Sequence, residues 1–204
     1  MSPEIEAIRN GLTRLRQAKS QLYSLKVPAS IDEIEHFEEQ HGVRLPADYR
    51  EFLLEIGNGG SGPYYGIFQL GEMDDGFDHA LCTADFIGDI TKPFPHMSAW
   101  NDLTGEPTDE MEMGEYDAAQ EAFDVHYYNP AQTNGAIPIC HIGCALRIWL
   151  VITGSEAGHL WRDDRADHGG LYPVARPGQP RVTFAAWYRA WIEDELGERR
   201  HSWI

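Results

Sequence analysis

The sequence predicts an α+β fold, a mostly antiparallel sheet with helices packed on it. Three observations carry that expectation. Apolar stripes of helical period stand at both ends of the chain, in residues 5–56 and 184–192. Strand-like apolar runs separated by glycine turns fill residues 137–174. The connections between those runs are short enough to be hairpins, and the helical stripes need the face of a sheet to bury them.

Ser2-Pro3-Glu4 reads as a helix start, with a capping hydroxyl, a proline in the first turn and an early acid. Ile5, Ile8, Leu12, Leu15 and Leu22 then hold one apolar face over about five turns. Arg9, Arg14, Arg16 and Lys19 take the other sides, so residues 1–27 read as an outer helix on the domain, broken at Val27-Pro28. Ser30 and Glu33 have the spacing of a reciprocal capping box. Ile31, Ile34 and Phe37 form the apolar face of that second helix, and His41-Gly42 ends it. Pro46 starts a third helix, where a missing N–H costs nothing. Tyr49, Phe52, Leu53 and Ile56 fall at i, i+3, i+4 and i+7, a single buried stripe. Asn58-Gly59-Gly60 supply the left-handed backbone for a sharp turn into a first strand, Tyr64 to Leu70.

Residues 71–125 differ in composition from both flanks. They hold fifteen Asp and Glu against one basic residue, Lys92, a net of −14, whereas the other 149 residues carry only −3 of the total −17. Aromatic and aliphatic residues are interleaved, so the segment can fold, and Pro93, Pro95 and Pro107 divide it into short pieces. It reads as an acidic insertion between the first strand and the rest of the sheet, partly helical from Asp109 to Asp124. Beyond it, Ile137 to Ile142 alternates, and Ala145 to Thr153 is nearly all apolar, as a covered central strand would be. Gly154 to Gly158 turns the chain back into His159 to Arg162, and Leu171 to Val174 is an edge strand because of Pro173. Thr183 caps the last helix, in which Phe184, Trp187, Tyr188, Trp191 and Ile192 share one face.

Several of these residues carry a family resemblance. Leu45-Pro46-x-Asp48-Tyr49-x-x-Phe52-Leu53 followed by Asn58-Gly59-Gly60 resembles the opening of the SUKH superfamily, the family of the yeast regulator of cell-wall assembly and killer-toxin resistance. Gly154-x-x-x-Gly158-x-x-Trp161 on a hairpin and Phe184-x-x-Trp187-Tyr188-x-x-Trp191 on a closing helix agree with it. The similar pieces span roughly residues 30–70 and 137–196. The resemblance implies a non-enzymatic binding domain, of the kind that in bacteria often acts as an immunity protein against polymorphic toxins. A scaffold or regulator binding several proteins, like the yeast relative, is the alternative it leaves.

Bulk composition narrows the classes further. At 204 residues the chain suits one domain, residues 1–204, with 42% hydrophobic and 24% charged residues. The longest uninterrupted apolar run, Ile148 to Ile152, is far short of the ~20 residues of a spanning helix. No apolar signal core stands at the N-terminus, and three cysteines give no disulfide framework, so a reducing cytoplasm is expected. A net charge of −17 opposes binding to nucleic acid or anionic membrane and favours a cationic partner.

Constellations with catalytic or metal-binding chemistry are weak. Cys140, His141 and Cys144 with upstream His126 hold zinc-type ligands, but neighbours on a strand point to opposite faces. Asp163, Asp164, Asp167 and His168 lack the spacing of a calcium loop, and Arg162 and Arg165 are better partners for them. Ser61 and Ser155 stand in no nucleophile elbow. Cys82 has only carboxylates near it in sequence, which suppress its thiolate. The glycines of 57–62 follow a helix and lack the lysine of a phosphate loop. No cofactor, metal or catalytic role is expected. The anticipated contact residues are Asp74, Asp75, Asp78, Asp85 and Asp89 with Asp109, Glu110, Glu112 and Glu115, and Trp100 and Tyr116 are candidate aromatic anchors.

Overall fold

The computed structural model describes residues 1–19, 23–72 and 87–198. Asp74, Asp75, Asp78, Asp85, Cys82 and Leu22 lie outside them. Among the described residues the helices are α1 (Pro3–Ala18), α2 (Ile31–His41), α3 (Ala47–Glu55), α4 (Met113–Tyr127) and α5 (Phe184–Glu195). The strands β1 (Ala136–Gly143), β2 (Leu146–Val151), β3 (Leu160–Asp163) and β4 (Leu171–Pro173) form one antiparallel meander in the order β1-β2-β3-β4. The fold is α+β, as the periodicities require.

Local chemistry accounts for the helix ends. Ser30 and Glu33 form the expected capping box, and Gly42 closes α2 at φ +63, a left-handed position suited to glycine. Pro46 stands one residue before α3, as its N-cap, rather than inside it. The α1 helix stops at Ala18, short of the five turns that its stripe suggests, and Leu25 pairs in extended form with Gly60. Asp48 has a cross-element role: one carboxylate oxygen accepts from its neighbour Tyr49 N–H (2.8 Å), the other from Ala185 N–H in the first turn of α5 (2.9 Å).

The expected strand from Tyr64 to Leu70 shrinks to bridges. Ile67 pairs with Cys140 on one side and Gly60 on the other, and Phe68 N–H donates to the Ile139 carbonyl (3.0 Å). Tyr64 at φ +54 and Gly66 at φ +98 make a turn of the preceding residues, which no extended strand can contain. Glycine is needed at Gly60, where a Cβ would meet the Ser24 carbonyl oxygen at 2.6 Å.

Alternation places side chains on both faces of the sheet. On the first, Ile148, Leu150, Ile152 and Leu160 join a core with Ile5, Ile8, Phe52, Phe184, Trp187 and Tyr188 from α1, α3 and α5. The helices α1 and α5 cross closely, and a Cβ at Gly11 would lie 2.6 Å from Ile192 Cγ2. On the second face, Ala136, Trp149, Val151, Trp161 and Leu171 pack with Phe94, and with the partly buried Ile87 and Trp100. The acidic segment therefore contributes a layer that covers the back of the sheet, rather than an appendage at its edge.

The β1–β2 loop is two residues long, Cys144-Ala145, at φ +49 and +63. Both values are those of a type I′ turn, which Asn-Gly fits and β-carbon-bearing pairs fit poorly. The double change Cys144→Asn, Ala145→Gly is expected to stabilise the protein by about 1–2 kcal/mol. A raised urea midpoint at unchanged m-value reads it out, and a lowered midpoint refutes it.

Candidate protein-docking surface

The α4 helix is the organising element of the second layer. Its middle, Ala118-Ala119-Gln120-Glu121-Ala122, is made of strong helix formers. Glu115 in its first turn, with Asp109, Glu110 and Glu112 just before, sets negative charge at the positive end of the helix dipole. Only Phe123 and Tyr127, one turn apart, are buried. Their rings stack at 4.9 Å, Tyr127 stacks on Trp100 at 5.5 Å, and the Tyr127 hydroxyl donates to Asn101 Oδ1 (2.6 Å). Burial pushes the Tyr127 phenol up to about 12, so it stays a donor.

A buried ion pair ties the end of α4 to the sheet. Asp163 on β3 and Arg165 are 5% and 3% exposed. Arg165 Nη2 donates to Asp163 Oδ2 (2.7 Å) and its Nε to Oδ1 (2.9 Å). Trp149 Nε1 donates to Oδ2 (3.1 Å), and Arg165 Nη1 donates to the Tyr127 carbonyl (3.3 Å). The expectation that arginines partner the aspartates of this loop is met here and at Arg162, whose Nε donates to Asp164 Oδ1 (2.6 Å). Among the described residues no group of three His, Cys, Asp or Glu is placed to hold a metal ion. Cys140 is buried and donates to the Pro63 carbonyl (3.3 Å), Cys144 sits on an exposed turn, and His126 pairs with Asp102 (3.0 Å).

His96 lies buried in the same layer, 5.3 Å from Trp100, 6.1 Å from Trp161 and 5.4 Å from Phe94 between ring centres. Burial holds its imidazole below the ordinary pKa, a hydrogen bond to the Gln132 backbone opposes that, and the Arg165 charge reinforces it. The unfolded chain takes up this proton near 6.5 and the folded chain only at lower pH. Stability from the neutral ring is thus intact above pH 6.5 and is lost as pH falls below it. Unfolding free energies at neutral and mildly acidic pH should fall less steeply in His96→Gln than in the parent chain. Equal slopes refute the assignment.

The anticipated contact residues divide into two places. Asp109, Glu110, Glu112 and Glu115 come together at the start of α4, all exposed, and none has an ion-pair partner among the described residues. Asp89 stands apart beside Asn134, where it accepts from Thr91 N–H (3.0 Å) and pairs with Lys92 (3.5 Å). The Thr91 bonds hold its carboxyl below the usual range. Trp100 is half-buried in the second core, whereas Tyr116 is 37% exposed, with Met113 at 81% one turn before it and Val125 at 69% on the opposite side of the helix. Composition alone did not single out Asp117, Glu121 and Asp124. Their i, i+4, i+7 spacing was the available signal, and all three are exposed on one face of α4. Two further carboxylates are spoken for, Asp102 by His126 (3.0 Å) and Glu106 by His168 (2.8 Å).

Among the clefts at the described residues, two flank these layers. One of about 820 Å³ is lined by Tyr23, Tyr64, Tyr65 and Trp191 beside α5, where Lys26 pairs with Glu72 (3.4 Å) and the Tyr23 hydroxyl donates to Glu195. Its charged groups thus answer one another. The other, about 680 Å³, opens beneath the end of α4, between Val125, Tyr128 and Trp149. No helix among the described residues is long and apolar enough to cross a membrane.

No curated protein and no solved structure matches the chain. The SMI1 / KNR4 family (SUKH-1) matches residues 28–176, from just before α2 to just after β4. That span takes in the Leu-Pro-x-Asp-Tyr and Asn-Gly-Gly residues, the second layer and the sheet, and it leaves α1 and α5 outside. With well over half its length matched on the elements that build the sheet and its covering layer, the chain belongs to the SMI1 / KNR4 family (SUKH-1).

Proposed function

We propose that the protein is a non-catalytic, cytoplasmic binding protein of one domain that neutralises a cognate toxin domain of basic charge by docking on it through its acidic segment. The observation that carries this reading is the outer side of α4. There Glu115, Asp117 and Glu121 have no ion-pair partner among the described residues, Val125 is exposed one turn beyond Glu121, and Met113 and Tyr116 are exposed at the start of the helix. Carboxylates steer a cationic partner and raise its association rate, and a few apolar groups among them give anchors whose desolvation slows release. Asp109, Glu110 and Glu112 extend that face, Asp74, Asp75, Asp78 and Asp85 belong to the same acidic segment of the sequence, and Asp89 is a separate contact of the proposed docking role. Family membership supports the toxin reading, and charge supports only the sign of the partner. A basic nuclease domain, whose cleft binds phosphate, suits a protein that presents carboxylates in its place.

Reversal of Asp109, Glu110, Glu112 and Glu115 to lysine tests the proposal. The chain should stay folded, because the sites are exposed, with a loss of about 1–2 kcal/mol from the reversed interaction with the helix dipole. Capture from the native cell at low salt should retain a basic protein on the parent chain and lose it on the variant. That protein should be toxic when expressed alone and harmless beside the parent chain only. Equal capture by both forms overturns the acidic face, and a captured protein without toxicity overturns the immunity role.

A further inference from the structure

We propose that the cleft beneath the end of α4 is an anchor pocket that takes one apolar side chain from a basic amphipathic segment of the partner protein. The inference rests on the docking role given to α4 above. Val125, Tyr128, Trp149, Ala145 and Ala166 line the cleft, whose volume is about 680 Å³. The Asp163 side of its floor is electrically settled, because Asp163 is saturated by Arg165 and the Trp149 indole, while Arg147 donates from Nη1 to the Ala145 carbonyl (2.9 Å). An apolar side chain can therefore enter over the Trp149 face without stranding the Asp163 charge.

The helix says what enters. Asp117, Glu121 and Asp124 form a ladder along one face of α4, and Asp124, Val125 and Tyr128 carry that face into the cleft. Asp124 accepts from the Gln120 amide (2.8 Å), which fixes its carboxylate at the rim. A neutral ligand would leave the ladder unused, and an anion would be repelled by it. Lysines or arginines at matching spacing would lie along the carboxylates, and an apolar residue one turn farther on would reach the opening.

The test uses the full chain and synthetic helical peptides at low salt. Each peptide carries lysines at i, i+4 and i+7 with phenylalanine or alanine one turn beyond, at either end of the ladder so that both orientations are offered. In one orientation the phenylalanine peptide should bind about tenfold tighter than its alanine counterpart. The indole N–H resonance of Trp149 should shift with it. Ala166→Trp, an exposed position that plugs the cleft, should abolish that advantage and leave the alanine peptide unaffected. No advantage in either orientation, or one that survives Ala166→Trp, overturns the anchor pocket. An uncharged phenylalanine peptide binding equally well also overturns it, in favour of a neutral ligand. The triple change Asp117→Lys, Glu121→Lys, Asp124→Lys separates the two readings. Loss of binding there without a phenylalanine advantage removes the pocket and keeps the acidic face. Unchanged binding, or no binding to the parent chain, removes both.

Discussion

Replacing Arg165 by methionine should lower the free energy of unfolding by about 3–5 kcal/mol, because it leaves the Asp163 carboxylate buried without its counter-charge. Asp163 would keep the Trp149 N–H and the backbone N–H of residue 165, both uncharged donors, and α4 would lose the guanidinium that holds the Tyr127 carbonyl. The double variant Asp163→Asn, Arg165→Met should recover most of the loss, since no buried charge then remains. Urea denaturation of the three chains measures both steps. A single variant within about 1 kcal/mol of the parent would mean that water reaches the pair and that the second layer is held by its aromatic packing alone.

Truncating Trp187 to alanine should cost about 3–5 kcal/mol by emptying the centre of the other core. The indole is 1% exposed, in a cluster where Phe52 meets Phe184 at 4.9 Å and Tyr188 at 4.8 Å. Tyr116→Ala, at the start of α4 where the ring is 37% exposed, should cost only about 1 kcal/mol. Equal effects at the two positions would contradict the lighter packing of Tyr116. Trp187 and Arg165 lie on opposite sides of the sheet, so their costs should add.

Much of the first layer was legible in the chain. The stripes of α1, α3 and α5, the Ser30–Glu33 capping box and the Gly154–Gly158 turn follow from spacing and side-chain chemistry, which local sequence determines. The turn that replaces most of the expected strand at 64–70 was not legible, because a tyrosine at positive φ is a choice forced by the neighbouring chain at Gly60 and Cys140. The back layer was hidden for a different reason. Phe94, Trp100, Phe123 and Tyr127 are spaced irregularly, and only the folded sheet shows that they meet one surface. The crowding of carboxylates was plain from composition, and their placement at the start of α4 could be reached once a helix was expected there. The ladder at Asp117, Glu121 and Asp124 needed a settled helix boundary, and Met113 begins α4 four residues after the position where acidity suggests it. Asp163 and Arg165, two residues apart, were readable as partners, but their burial was not.

The two-residue grip of α4 has a consequence for how partner choice can change. Phe123 and Tyr127 fasten the helix from within, so replacements at Glu115, Asp117 or Glu121 disturb no packing. On the proposed docking role, recognition could drift through many sequences while foldedness stays put.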